Sequence, residues 1–338
     1  MNPAGRTLFS LRKVYGATPI MRHGSRDPTR MSSLSAPTAW HPRSDDPLFI
    51  LAMDHRASFV EVLLGKEIDK PNDQQLAHLN EAKDLVYRGL STAKPQLPFG
   101  RPAVLVDELY GSGVIRSAKE EATILAIPIE ESGQSWFTLQ WGDAWLDHVR
   151  RIAPDYAKVL VRDNPLLPAD KRRAQLADLA QVSDGLRKVN VPLLYELLVP
   201  PMPSQLAAAN ESADRFDRDL RPELVRQVIA DNQASGVEPH LWKVEGFETV
   251  DAARLVADQA RTNGRTADLI VLGRDASAQR LDHWLSVAAQ VEAFVGFAIG
   301  RSIWEDVVTR WFTGHIDGDT AVAQVSEAYL GFVRHWRP

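Results

Sequence analysis

From Pro47 onward the chain repeats one pattern eight times: a short apolar run, then a stretch with helical periodicity. The apolar runs fall at residues 48–53, 103–106, 123–129, 156–162, 192–200, 239–246, 269–272 and 294–299. Between and after them, helices are expected at 73–92, 113–122, 143–152, 169–188, 222–233, 250–261, 279–291 and 303–312, with one more at 320–336. Near-continuous apolar strands alternating with helices are what a parallel sheet covered by helices requires, because such strands are buried on both faces. Eight such units predict an α/β fold of the (β/α)8 TIM barrel type, a single domain with an extra C-terminal helix. An open doubly wound sheet is the alternative, but no glycine-rich dinucleotide turn follows the first strand.

Three of the strands carry charges where apolar residues are expected. In a strand, residues two apart share a face. Lys158 therefore shares a face with Leu160 and Arg162, Glu196 with Leu194 and Leu198, and Lys243 with Glu245. Each charge alone could sit at a strand end and reach water. Successive strands offering Lys, Glu and Lys point instead to one shared interior site, since buried charges require partners. A buried lysine is either paired or pushed toward the neutral amine, and the neutral amine is a nucleophile.

In a barrel of this type the active site lies at the carboxyl ends of the strands. The polar residues there include Asp54, His55 and Arg56, Asp107 and Tyr110, Glu130 and Ser132, Arg162, and Glu245. The seventh and eighth strands both end in Gly-Arg: Gly273-Arg274, and Gly300-Arg301 followed by Ser302. Glycine lets a ligand approach backbone N–H groups, a helix start favours an anion, and arginine adds a forked donor, so a phosphate site is expected here. A phosphate beside buried lysines suggests carbon–carbon chemistry on a phosphosugar. Lys243 would form a Schiff base with a ketone, Lys158 would act beside it, and Glu196 would move protons. Metal-assisted cleavage needs converging histidines, and only His55 follows a strand at the right end; Asp54, Glu130 and Glu245 remain candidates for magnesium. No metal and no cofactor beyond the covalent lysine is expected.

Composition sets the remaining bounds. The chain of 338 residues is 44% hydrophobic and 25% charged, has a net charge of −5, and contains no cysteine, which excludes disulfides, thiolate metal sites and a cysteine nucleophile. Neither nucleic acid nor membrane is expected as a partner; a small phosphorylated sugar is, in a cytoplasmic protein that can form a homo-oligomer. Residues 1–46 are rich in arginine, poor in acids and without sustained periodicity, which predicts a flexible tail. Met31 offers a second start, and a transit peptide lacks the amphipathic helix it would need. Trp136, Phe137, Trp141 and Trp145 form an aromatic cluster suited to core or to a subunit contact, with core preferred.

The motifs Asp54-His55-Arg56, Lys158-Val159-Leu160-Val161, Leu194-Tyr195-Glu196-Leu197-Leu198, Trp242-Lys243-Val244-Glu245-Gly246 and Gly300-Arg301-Ser302-Ile303-Trp304 resemble the DUF2090 family over residues 47–338. That domain often forms the C-terminal half of bifunctional 5-dehydro-2-deoxygluconokinases and is similar to class I tagatose-bisphosphate and sulfofructose-phosphate aldolases. The resemblance implies Lys243 as the Schiff-base lysine, Glu196 as the proton shuttle, Lys158 and Asp54 as substrate contacts, and Arg301 as a phosphate ligand. It implies cleavage of 2-deoxy-5-keto-gluconate 6-phosphate to dihydroxyacetone phosphate and malonate semialdehyde. Residues 1–46 are too few for a kinase, which leaves other ketose phosphates open. An isomerase or epimerase without a covalent adduct, using Glu196 or Glu245 as base, and a non-catalytic sugar-phosphate-binding barrel are the alternatives.

Overall fold

The computed structural model describes residues 40–66, 70–273 and 276–336. Of the tail expected for residues 1–46, residues 1–39 therefore lie outside the described residues, as does Arg274. Residues 42–46 belong to the barrel unit, Pro42–Pro338, and lead into its first strand through an antiparallel bridge between Arg43 and Asp46.

Eight strands, β1 Leu48–Met53, β2 Arg101–Val106, β3 Ile124–Pro128, β4 Tyr156–Arg162, β5 Leu193–Leu198, β6 Leu241–Glu245, β7 Asp268–Leu272 and β8 Phe294–Ile299, pair in parallel in chain order, and β1 closes on β8. The structure is thus a (β/α)8 barrel, as the alternation predicts. The helices between strands are α1 Ala57–Leu64, α2 Asp73–Ala93, α3 Glu108–Glu120, α4 Trp145–Ile152, α5 Ala169–Lys188, α6 Pro203–Ala208, α7 Ala213–Arg215, α8 Arg221–Ala234, α9 Val250–Ala260 and α10 Ala278–Ala288; α11 Arg301–Phe312 and α12 Gly318–His335 follow β8. Among the described residues no helix is long and apolar enough to cross a membrane.

Period-two alternation divides each strand between two environments. Leu51, Met53, Val104, Val159, Tyr195 and Trp242 join the layer between sheet and helices. The opposite parity, including Ile50, Leu105, Ala126, Leu194, Leu241 and Ile270, is buried inside the ring, and on β4, β5 and β6 this inner parity carries Lys158, Glu196 and Lys243. The pairing register sets Glu196 directly beside Lys243 and Leu160 beside Glu196. The ring closes through a backbone irregularity in β8: Leu269 pairs with Phe294 but Val271 with Phe297, and Gly296 between them has φ 139°. A Cβ on Gly296 would lie 1.9 Å from the Leu48 carbonyl oxygen, so glycine lets β8 meet β1.

Two departures from the expected elements have local causes. Helix α3 begins at Glu108, earlier than the periodicity suggests, because the Asp107 carboxylate accepts the Tyr110 N–H at 3.0 Å and the helix tolerates a kink at Gly111. Between β5 and α8, where no element was expected, α6, α7 and a π-helical turn at Phe216–Leu220 carry the chain. At the C-terminus α12 packs along α2, where Gly89 leaves room for Val325, and the Tyr329 hydroxyl donates to the Phe49 carbonyl at 2.8 Å.

Candidate active site

At the carboxyl ends of the strands the ring opens into a cavity of about 480 Å³. Its floor is a chain of alternating charges. The Lys158 ammonium donates to Asp54 Oδ2 at 2.8 Å and Glu130 Oε1 at 2.8 Å, and lies 2.9 Å from Glu196 Oε2. Glu196 turns its other oxygen, Oε1, to the Lys243 ammonium at 2.8 Å. All three expected interior charges are buried, Lys158 at 1%, Glu196 at 7% and Lys243 at 4% exposure, and they meet as the strand parities require.

The two lysines differ in their surroundings. Burial alone would drive Lys158 toward the neutral amine, but Asp54, Glu130 and Glu196 outweigh it and raise its pKa well above the ordinary lysine value. Lys158 is therefore a fixed cation. Among the described residues Lys243 has one carboxylate partner, Glu196. Burial pushes the Glu196 carboxyl up, but Lys158 and Lys243 together hold it below its usual value. Asp54 behaves likewise: burial raises it, Lys158 and then Lys243 lower it by more, and it stays ionised.

His55 follows Asp54 into the cavity wall. Burial is the main reason its imidazole is lowered to about 4; Arg301 and Lys243 add to this and Asp54 opposes it. Its ring stands edge-on to Trp304, centroids 5.5 Å apart, and Trp304 Nε1 in turn donates to the Ala52 carbonyl at 3.0 Å. Gly300 packs against the same carbonyl, where a Cβ would come within 2.4 Å. Gly273, Gly300, Arg301 and Arg162 also line the cavity, Arg301 standing at the first position of α11 and next to Glu305.

Two expected site residues stand apart. Glu245 shares the face of Lys243 but does not line the cavity; it is 1% exposed, and its Oε2 accepts the Val199 N–H at 3.5 Å. Ser302 is exposed and is likewise absent from the cavity wall, because the helix begins at Arg301 and has already turned it away. The carboxylates considered for magnesium have other partners as well: Asp54 and Glu130 share the Lys158 ammonium, and among the described residues no three His, Asp or Glu converge on a metal-holding position. Of the aromatic cluster, Phe137, Trp141 and Trp145 pack against the core, and Trp136 and Phe137 line the cavity, with Lys171 5.7 Å from the Trp136 ring.

The structure adds residues that sequence reasoning passed over. Glu130 was legible only as a strand-end acid and a metal candidate. It is 6% exposed and takes Lys158 and, at 3.3 Å, Arg56 Nη2 on Oε1. Arg56 also donates to the Glu130 carbonyl at 2.9 Å and to Gln140 at 2.5 Å, tying β3 to the following segment that lines the cavity. Lys83, fully buried in α2, reaches under β1 to the Met53 carbonyl at 2.6 Å, the His55 carbonyl at 3.0 Å and the Asp107 carboxylate. It grips the backbone on both sides of Asp54. A lysine inside an amphipathic helix gives no sign of this, since its partners lie on other elements.

Fold and cavity together define a (β/α)8 barrel protein whose strand-end mouth holds a buried lysine–carboxylate chain. The family described as "Uncharacterized protein conserved in bacteria (DUF2090)" matches residues 22–338, and the chain belongs to it. A comparison with curated proteins gave no match. Among solved structures, Cgl0159 from Corynebacterium glutamicum is similar with a TM-score of 0.52 at 16% identity, covering 85% of each chain. A putative deoxyribose-phosphate aldolase from Toxoplasma gondii ME49 gives 0.46 at 13% identity, over 85% of this chain and 94% of that one. The deoxyribose phosphate aldolase of Aeropyrum pernix gives 0.38 at 9% identity, over 73% of this chain and 100% of that one. The Corynebacterium likeness is one of barrel fold.

Proposed function

We propose that the protein is a class I aldolase that cleaves a phosphorylated ketose through a Schiff base on Lys243. The observation that carries this reading is the unequal sharing of carboxylates between two buried lysines. Among the described residues three carboxylates surround Lys158, and one faces Lys243. Lys158 is thereby fixed as a cation, while Lys243, 2.8 Å from Glu196, is the lysine that would attack the ketone, with Glu196 taking and returning its proton.

The steps then follow from general chemistry. The Lys243 amine adds to the ketone, Glu196 returns a proton to the carbinolamine oxygen, and water leaves to give an iminium. The iminium draws the electrons of the neighbouring carbon–carbon bond, an aldehyde departs, and the enamine is reprotonated and hydrolysed. The lysine supplies the covalent chemistry itself. Gly273, Gly300 and Arg301, in the cavity wall at the ends of β7 and β8, would hold the phosphate, with Asp54 and His55 contacting the substrate beside it. For substrate we propose 2-deoxy-5-keto-gluconate 6-phosphate, giving dihydroxyacetone phosphate and malonate semialdehyde; Arg162, on the far side of Lys243 from Arg301 in strand order, would face the carboxylate end.

The test is to incubate the protein with dihydroxyacetone phosphate, reduce with borohydride and map the modified peptide. The adduct mass should appear on the peptide containing Lys243. A label on Lys158, or no label, would sink the proposal.

A further inference from the structure

Retro-aldol cleavage needs two proton movements at different places. One belongs to carbinolamine and enamine, beside the lysine nitrogen, where Glu196 stands. The other removes the proton of the hydroxyl on the carbon that becomes the aldehyde, one carbon–carbon bond beyond the enamine. Glu196 divides its two oxygens between Lys158 and Lys243, which keeps it at the lysine nitrogen and away from the departing hydroxyl.

Ring order points to where the carrier of that second proton must be. The expected phosphate position lies at the ends of β7 and β8, the Schiff-base lysine on β6, then Glu196 on β5 and Lys158 on β4. A ketose held by its phosphate and bonded to Lys243 therefore extends its departing half toward the ends of β4 and β3. At the end of β3 stands Glu130, in the cavity wall and 6% exposed. Its Oε1 is fixed by Lys158 at 2.8 Å and Arg56 at 3.3 Å. Its Oε2 is buried and has no hydrogen-bond partner among the described residues. A buried carboxylate oxygen without a donor is uncommon and costly, and a substrate hydroxyl is the kind of donor it lacks.

We infer that Glu130 is the general base for bond cleavage: Oε2 takes the proton of the substrate hydroxyl as the C–O bond becomes a carbonyl and the carbon–carbon electron pair moves into the iminium. In the reverse, synthetic direction it returns that proton to the new alkoxide. This inference rests on the Schiff-base reading above and extends it to a residue with a separate role. Burial raises the Glu130 carboxyl above its ordinary value, against the pull of Lys158 and Arg56 and with some help from Asp54. A carboxylate with higher proton affinity is the better acceptor for an alcohol proton. Asp54, the rival carboxylate on the same Lys158 ammonium, is held below the carboxylate range by Lys158 despite its burial.

Two reactions of one protein separate the roles. Exchange of the α-proton of dihydroxyacetone phosphate with deuterated water needs Lys243 and Glu196 alone, whereas cleavage of the full ketose phosphate needs the hydroxyl base as well. In Glu130→Gln, cleavage should fall by about 10²–10⁴-fold relative to exchange, and the borohydride adduct should still form. Asp54→Asn should not show this selective loss. If cleavage and exchange fall together in Glu130→Gln, or if the selective loss appears in Asp54→Asn instead, the assignment is overturned. Should the glutamine variant fail to fold, Glu130→Asp carries the same comparison: it keeps the acid and withdraws it by one methylene, so cleavage must again drop more than exchange. A parent protein that forms no adduct sinks the Schiff-base reading and this inference with it; an adduct-forming parent whose Glu130→Gln variant cleaves normally sinks only the role of Glu130.

Discussion

Lys158 and Lys243 are the same chemical group in the same cavity, and their neighbours give them different surroundings. Removing Lys243 leaves Glu196 still paired with Lys158, so Lys243→Ala should fold with stability near that of the parent while losing the borohydride adduct. Removing the other amine takes from Asp54 the lysine it is paired with and leaves Glu130 to Arg56 and Glu196 to Lys243, with three acids crowded in a buried space. Breaking a buried ion pair in this way costs about 3–5 kcal/mol, so Lys158→Met should show a clearly lower urea midpoint than Lys243→Ala; equal midpoints would contradict the charge arrangement. His55 supplies a pH test. Its imidazole is lowered from 6.5 to about 4 in the fold, so between these values the unfolded chain binds a proton that the folded chain refuses. Stability from this group is complete above pH 6.5 and is lost as pH falls toward 4. The loss is at most about 3 kcal/mol, and less because the ring is partly exposed to the cavity. Thermal unfolding from pH 7 to pH 4 should fall less steeply in His55→Gln than in the parent, and parallel curves would count against a neutral, buried imidazole.

At the scale of elements, the eighth strand decides whether the ring closes. Gly296 adopts a φ of 139° that side chains avoid, and its missing Cβ would meet the Leu48 carbonyl at 1.9 Å. Gly296→Ala should therefore separate β1 from β8 or distort both, with a loss of about 3 kcal/mol or more. Denaturant unfolding checks this, and a loss under about 1 kcal/mol would mean that the irregularity is not needed. Most of the ladder itself was legible from residue order. β4, α5 and β8 fall at the expected positions because an unbroken apolar run, or apolar residues at Leu176, Leu179, Val182 and Leu186, leave one reading. The inward parity of Lys158, Glu196 and Lys243 was legible for the same reason. What stayed hidden depends on contacts between elements distant in sequence. Lys83 meets carbonyls on β1 and a carboxylate after β2, and Arg56 meets Glu130 at a separation of 74 residues. Glu245 was misplaced because a shared face says nothing about depth: one step past Lys243 its carboxylate is taken up by the Val199 N–H instead of the cavity.

Across the whole molecule the last helix acts on the first strand. Tyr329 bonds the Phe49 carbonyl, and Trp336, 1% exposed, sets its ring edge against that of Phe49, which stacks on Phe297 of β8 at 4.8 Å. The two strands that complete the ring are thus backed by the end of the chain, and the apolar area of one tryptophan supports their contact. Trp336→Ala should cost about 3–5 kcal/mol by cavity formation and lower the melting temperature of the barrel as one transition; a separate low-temperature transition would show that α12 comes away alone.

The carboxylate enclosure of Lys158 also bears on selective labelling. In the native protein an amine-seeking reagent small enough to enter the mouth, such as a phosphorylated aldehyde, meets one amine held as a cation by three carboxylates and one that stands beside Glu196. Labelling should mark position 243 and leave 158 bare, and only unfolding, which disperses the three acids, should make the two sites equally reactive. With no thiol anywhere in the chain to compete for such a reagent, the ratio of the two labels becomes a direct gauge of whether the enclosure is intact.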